Sequence, residues 1–427
     1  MKTNYFLFFL TLFISHISFS ANYILQKFEN DYKEHKIELI QTNSRGESEF
    51  LINFKQLINH EDSTSGYFYQ KVFLTYLSSD KPTIVVTEGY DVSYNYRTEL
   101  LDFFPSNQII IEYRYFGDSK LPDDMGMDYL TTMQGARDHE AIIQFFRKFF
   151  NSKFISTGIS KGGQMAFIHR ALFPNSVDLT ITYAAPYNLE REDKRINLFL
   201  EDVGTKEARE DILRFQKEIL RRKDRIIPLL YQEMQRIGLE FNMELEKVFE
   251  LAVLEYEFSF WQWGESSKEK DYSLKSDAEI LQLLIRPGIF QYFSSNFMSS
   301  KLPFFYQAYT ELGYYSYNTT NLIKYLNALD STTVSSDFFV SNLGYDLIFD
   351  NDNVLSYLEK FKKEDPATIH IVGGIDPWSA TMPNVDGLKN SLVIRDDDGS
   401  HFVRINNLPY SLRIRVLKYI EKELGVF

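Results

Sequence analysis

A strand that must end at one serine and turn at once into a helix constrains this chain more than any other feature. The apolar run Phe154-Ile155-Ser156-Thr157 leads into Gly158-Ile159-Ser160-Lys161-Gly162, and Gln164 to Phe173 reads as helix. Small residues flank the serine in such a turn because a side chain there would collide with neighbouring backbone. The turn lifts Ser160 out of the sheet edge and aims a helix N-terminus at it, where free N–H groups stabilise an oxyanion. Glycine and serine also meet in ordinary loops, so the partners of Ser160 decide the reading.

The surrounding pattern is that of a parallel sheet. From Lys81 to Pro186, β-branched runs alternate with helix-like stretches. Pro82 to Thr87 and Gln108 to Tyr113 read as buried strands. A helix is expected from about Tyr129 to Phe150, with Ile142, Phe145, Phe146 and Phe149 on one face. A strand through Val177 to Tyr183 closes this part. From about Asn188 to Lys363 the character changes to long amphipathic helices, striped by Ile212, Phe215, Ile219 and Leu220 and by Leu245, Val248, Phe249, Ala252 and Val253. Strand-like runs return only at Ala367 to Val372 and Ser391 to Ile394, before a closing helix from about Pro409 to Leu424. The expectation is an α/β fold with a doubly wound, mostly parallel sheet: core over 21–187, a helical cap over 188–365 inserted after the sixth strand, and core again over 366–427. An insertion of this size is too long for a loop. Above the carboxyl ends of the strands it would cover Ser160 as a lid, narrowing access and excluding water.

Lys2, the apolar stretch Tyr5 to Ile14 and then Ser18-Phe19-Ser20-Ala21 have the order of a secretory signal, so residues 1–20 are expected to be cleaved and the protein to be secreted or periplasmic. No later stretch reaches the roughly 20 apolar residues that a membrane span needs. The chain has no cysteine, which excludes disulfides, a thiol nucleophile and a thiolate metal site. A formal charge of -13 argues against nucleic acid as a partner. The nearest basic cluster, Arg221-Arg222-Lys223-Asp224-Arg225, reads as a solvated helix face. Neither a metal nor a cofactor is called for. Histidine pairs at helical spacing are absent, and the acidic clusters lack calcium-loop spacing.

A serine hydroxyl needs a base, and the base needs an acid that holds its tautomer. On sheets of this kind they follow the serine in the order acid, then histidine. Of seven histidines, His401 alone lies in a loop just after a late strand. His139 and His169 fall in helical patterns, His370 in a strand, and His35 and His60 precede the sheet. The acid is best assigned to Asp376 in Gly373-Gly374-Ile375-Asp376-Pro377-Trp378, at the end of the loop leaving the penultimate strand. Asp396, Asp397 and Asp398 read as a solvated turn. The oxyanion donors are expected to be the Lys161 N–H and an N–H of Gly89 or Tyr90. The Lys161 ammonium reads as a surface or salt-bridged group.

Thr87-Glu88-Gly89-Tyr90, Glu112-Tyr113-Arg114-Tyr115-Phe116-Gly117, the elbow with Gly163-Gln164, Ala184-Ala185-Pro186-Tyr187, Val203-Gly204-Thr205, Gly374-Ile375-Asp376-Pro377-Trp378 and Gly399-Ser400-His401 together resemble the bacterial secreted prolyl tri/tetrapeptidyl aminopeptidases. Tyr113 departs from that pattern, standing where a histidine is expected. The resemblance implies an α/β-hydrolase core with a helical cap, oligopeptide substrates cut after proline or an apolar residue, and Ser160, Asp376 and His401 as nucleophile, acid and base. A free substrate amine calls for buried carboxylates. Glu88 and Glu112, at the ends of neighbouring strands, are the candidates. Three other readings remain: an esterase or lipase with the same triad, a prolyl carboxypeptidase-like enzyme using Arg97 or Arg114, and an inactive peptide-binding relative.

Overall fold

The computed structural model describes residues 22, 24–265, 272–330, 336–340 and 347–426, so the expected signal peptide lies outside the described residues. Nine strands form one sheet in the order β1-β2-β3-β5-β4-β6-β7-β8-β9. They are β1 Lys36–Thr42, β2 Ser48–Leu57, β3 Tyr67–Tyr76, β4 Thr83–Thr87, β5 Asn107–Ile111, β6 Phe154–Ile159, β7 Leu179–Tyr183, β8 Thr368–Gly373 and β9 Ser391–Asp396. The first three form an antiparallel meander joined to β5, and every pair from β5 through β9 is parallel. This is the α/β-hydrolase core that the sequence predicts.

Burial explains why these segments are strands. Every residue of β4, β5, β7 and β8 is buried, so the inner strands show no apolar alternation because helices cover both faces. In β2, by contrast, buried and half-buried residues alternate, and one face alone is covered. On one side the helix Thr132–Phe146 and its continuation set Ile142, Phe145, Phe146 and Phe149 against Phe28, Phe54 and Ile109. On the other the closing helix Tyr410–Leu424 packs Val416, Ile420 and Leu424 against Ile155, Ile181 and Ile369. The first of these helices is shorter than its periodicity predicts. It begins where Thr131 caps it, accepting from the Gln134 N–H at 3.1 Å.

Between β7 and β8 the insertion builds a second apolar core. Ile212, Phe215, Ile219 and Leu220 of helix Lys206–Arg221 meet Val248, Phe249, Ala252 and Val253 of helix Leu245–Trp263 there. The insertion follows the seventh strand and not the sixth, because β1, β2 and β3 all precede Thr83–Thr87. Its last helix, Asn351–Glu364, belongs to the core layer instead of the cap: Phe361 lies 4.5 Å from Phe167 of the elbow helix, ring to ring. The Val203-Gly204-Thr205 element closes against the cap. A Cβ on Gly204, at φ +64°, would stand 2.2 Å from the Trp261 ring, and Thr205 caps the helix that follows. The basic run at 221–225 spans a helix junction, where Arg221, Asp224 and Arg225 are exposed as expected but Arg222 and Lys223 are turned inward. Arg222 donates to the Lys275 carbonyl at 2.7 Å, and buried Lys223 pairs with Glu250 at 3.0 Å. Among the described residues no helix is long and apolar enough to cross a membrane.

One buried ion pair ties the meander to this core. Arg114, fully buried, grips Asp138 through two nitrogens at 2.6 and 2.7 Å, and His60 meets the same carboxylate at 2.8 Å. Removing one partner of such a pair strands the other charge without water, at a cost of about 3–5 kcal/mol. Asp138→Ala is therefore expected to lower the unfolding free energy in urea by about 3–5 kcal/mol. A loss under about 1 kcal/mol would mean that Arg114 is not held by this pair.

Candidate active site

Ser160 sits at φ 53° and ψ -125°, between the end of β6 and the helix Lys161–Leu172. Few non-glycine residues adopt positive φ, and the strain is held by bonds on both sides. The Ser160 N–H donates to the Tyr183 carbonyl at 2.9 Å, and its own carbonyl accepts from Gln164 at 2.9 Å. The turn closes only because Gly158 lacks a side chain: a Cβ there would lie 2.3 Å from the Gly162 carbonyl carbon. The loop after β4 presses on the same turn. A Cβ on Gly89 would come within 2.7 Å of the Lys161 Cβ, and Thr87 Oγ1 donates to the Gly162 carbonyl at 2.9 Å. As first residue of the helix, Lys161 has no intrahelical acceptor for its N–H. Gly89 and Tyr90 lie beside it.

Asp376 and His401 follow β8 and β9, the second and third strands beyond β6. Asp376, with no solvent exposure, ends the loop after β8 and meets His401 Nδ1 at 2.7 Å. Its other oxygen accepts from the Trp378 N–H at 3.2 Å, which fixes the carboxylate plane. His401 is held in turn by the cap: its N–H donates to the Gln262 carbonyl at 2.9 Å, and its ring meets Trp263 edge-on at 5.7 Å. Ser160, Lys161, Tyr90 and His401 all line one cleft of about 630 Å3 between core and cap.

Several expected roles are corrected here. The Lys161 side chain is neither on the surface nor salt-bridged. It is 2% exposed, and its ammonium, without a hydrogen-bond partner, sits 4.1 Å from the Tyr113 ring centre, 4.7 Å from Phe116, 5.3 Å from Tyr90 and 5.8 Å from Phe304. Burial, with Lys301 nearby, pushes it well below the usual lysine range, and Glu311 acts the other way. Glu112 is not free to read a substrate. It accepts from Val92, Asp118 and Ser119 N–H groups at 2.8, 2.8 and 2.9 Å and pairs with Lys71 at 3.0 Å, so its capacity is spent on the fold. Glu88 accepts from the Tyr96 hydroxyl and is not among the residues lining the cleft. Burial raises its carboxyl above the ordinary value. Arg114 is held by Asp138, and Arg97 by Glu47 and Asp102 at 3.0 and 3.1 Å, which leaves neither to receive a substrate carboxylate.

One functional candidate escaped the sequence reading. Glu255, Phe258, Ser259, Gln262 and Trp263 fall on one face of helix Leu245–Trp263 at helical spacing, and all five line the cleft. The signal was present in Phe249-Glu250-Leu251-Ala252-Val253-Leu254-Glu255-Tyr256, where two carboxylates interrupt an otherwise apolar stretch. Glu250 is consumed by Lys223 and by the N–H groups of Asn327, Ala328 and Leu329. Glu255 faces the cleft.

The family model described as PS-10 peptidase S37 matches residues 36–405. The prolyl tri/tetrapeptidyl aminopeptidase of Streptomyces mobaraensis is 29% identical over 269 residues, which are 62% of this chain and 56% of that protein. The match therefore spans about half the length of that curated relative. Solved structures that it resembles include a proline iminopeptidase of Mycobacterium smegmatis, 10% identical with a TM-score of 0.38 over 87% of this chain and 98% of that one. Another is VinJ, 12% identical with a TM-score of 0.40 over 83% and 96%.

The caged lysine generates a test. An ammonium buried among rings gains cation–π attraction of about 2 kcal/mol or more when desolvated, against a desolvation cost of several kcal/mol. Lys161→Met, similar in length and apolar, is expected to match the native protein in urea unfolding or exceed it by about 1 kcal/mol. A loss of more than about 2 kcal/mol would show that the charge itself holds the cage together.

Proposed function

This chain belongs to the PS-10 peptidase S37 family, and from that membership and the cleft we propose that it is a serine peptidase releasing tri- and tetrapeptides from free N-termini through an acyl-enzyme on Ser160. The observation that carries the reading is the 2.7 Å bond between Asp376 and His401 in the cleft that Ser160 enters from a strained elbow. With Nδ1–H held by Asp376, His401 presents Nε2 as base to the Ser160 hydroxyl. The alkoxide attacks the scissile carbonyl, and the N–H groups of Lys161 and of Gly89 or Tyr90 receive the oxyanion. His401 then hands its proton to the leaving amine. Water repeats the cycle and frees the acyl peptide. The apolar cleft wall of Phe258, Phe297, Phe304 and Trp378 supports cutting after proline or an apolar residue. Export rests on the order of charge, apolar run and small residues in 1–21.

An esterase with the same triad shares this tetrahedral chemistry, so substrates decide between them. Ser160→Ala is expected to lose about 10⁴–10⁶-fold in kcat on a Xaa-Xaa-Pro reporter, together with fluorophosphonate labelling. Retained turnover would remove Ser160 from the mechanism. In a mixed peptide pool, mass spectrometry is expected to find N-terminal fragments of three and four residues. Release of C-terminal residues, or activity confined to short-chain esters, would overturn the aminopeptidase reading.

A further inference from the structure

An aminopeptidase must place a counter-charge where the substrate's α-ammonium arrives, and among the described residues two carboxylates line the cleft, Asp91 and Glu255. Asp91 is neutralised by Lys301. Glu255 has no cation beside it among the described residues. It is 4% exposed and accepts three hydrogen bonds, from Tyr315 Oη at 2.7 Å, Tyr317 Oη at 2.9 Å and Ser259 Oγ at 2.9 Å. Three neutral donors orient a carboxylate without cancelling its charge. A buried carboxylate so placed is costly unless something positive joins it, and the open side of this one is the peptide cleft.

Resting on the aminopeptidase reading, we propose that Glu255 receives the free α-ammonium of the substrate and so sets where the chain is cut. Its position on the helix gives a length. Gln262, whose carbonyl holds the His401 N–H, follows Glu255 by seven residues on the same cleft face. At 1.5 Å of rise per residue that places Glu255 about 10 Å from the catalytic end of the cleft. An extended peptide spans about 3.3–3.6 Å per residue, so about three residues fit between an amine at Glu255 and a carbonyl at Ser160. The cleft volume of about 630 Å3 accommodates a segment of that size. Burial pushes the Glu255 carboxyl up to about 7, and the hydroxyl donors pull the other way. An arriving ammonium supplies the missing opposite charge and holds the carboxylate ionised.

The experiment compares native enzyme and Glu255→Gln on one tripeptide reporter with a free and with an acetylated N-terminus. Native enzyme is expected to prefer the free amine. Glu255→Gln is expected to lose about 10–100-fold in kcat/KM on the free substrate and to keep its rate on the acetylated one, so that the preference collapses. Fluorophosphonate labelling of Ser160 at the native rate shows that the variant retains its fold and nucleophile. Should Glu255→Gln fail to accumulate, Tyr317→Phe withdraws one of the three donors and is expected to reduce the preference in smaller measure. A native preference that survives Glu255→Gln intact overturns the role of Glu255 and leaves the aminopeptidase reading standing. Equal cleavage of both reporters by the native enzyme overturns that reading, and the proposal falls with it.

Discussion

The cleft depends on the backbone of one residue. At φ 53° and ψ -125° Ser160 occupies a conformation that a residue with a side chain adopts at a cost of order 1–3 kcal/mol. The surrounding contacts hold it there. Tyr183 takes its N–H, Gln164 bonds its carbonyl, and the glycine faces of Gly158 and Gly162 let strand and helix meet without a side chain between them. The loop carrying Gly89 and Tyr90 is pressed onto the first turn of the helix by the same absence of bulk. Ser160 and the backbone of Lys161, Gly89 and Tyr90 thus share one rigid neighbourhood, while Asp376 and His401 follow β8 and β9, the second and third strands beyond β6 in the same half of the sheet.

The Asp376-Pro377-Trp378 element joins the sheet to the cap. Asp376 orients His401, and two residues on, Trp378 lies 5.3 Å from Phe258, 5.5 Å from Tyr315 and 5.7 Å from Tyr314, ring to ring. A loop that seemed to need only its aspartate also anchors the lid through its indole. Phe258 stacks on Tyr315 at 3.9 Å with planes 7° apart, so the wall behind the cleft is a continuous run of rings. This is where the high count of 37 Phe and 28 Tyr is spent beyond the core.

What the sequence made legible follows from distance along the chain. The elbow, the order of Ser160, Asp376 and His401, and the alternation of strands with helices are local patterns, and the fold reproduces the order they imply. Helix ends were overrun because periodicity continues past the capping Thr131. The charged residues were misread for a different reason. Glu112 looks free in sequence, yet its partner Lys71 lies on a strand 41 residues earlier and its N–H donors on loops both before and after it. Lys161 follows Ser160 and looks solvated, but its cage is assembled from Tyr90, Tyr113, Phe116 and Phe304, four residues on three separate segments. Tyr113, where a histidine was expected, is the nearest wall of that cage. Glu250 and Glu255 share one helix and one apolar context, and only the fold separates the neutralised carboxylate from the one that faces the cleft.

On the proposed reading, chemistry and selection are divided between core and cap, yet one element couples them. Helix Leu245–Trp263 carries Glu255 on its cleft face and holds His401 by the Gln262 carbonyl and the Trp263 ring. The spacing between the carboxylate and the base is therefore governed by helix geometry and not by a hinge between two domains. Pulling this helix away from the core would take the hydrogen bond from the His401 backbone and loosen the Trp263 contact at the same stroke. A peptide that bridged Glu255 and Ser160 would tie cap to core across the cleft, opposing that displacement. Seating the correct terminus and holding the base in place then become one mechanical requirement. Selectivity built this way acts on the positioning of His401 as well as on binding, because a chain lacking the free end leaves the helix tethered by its own contacts alone.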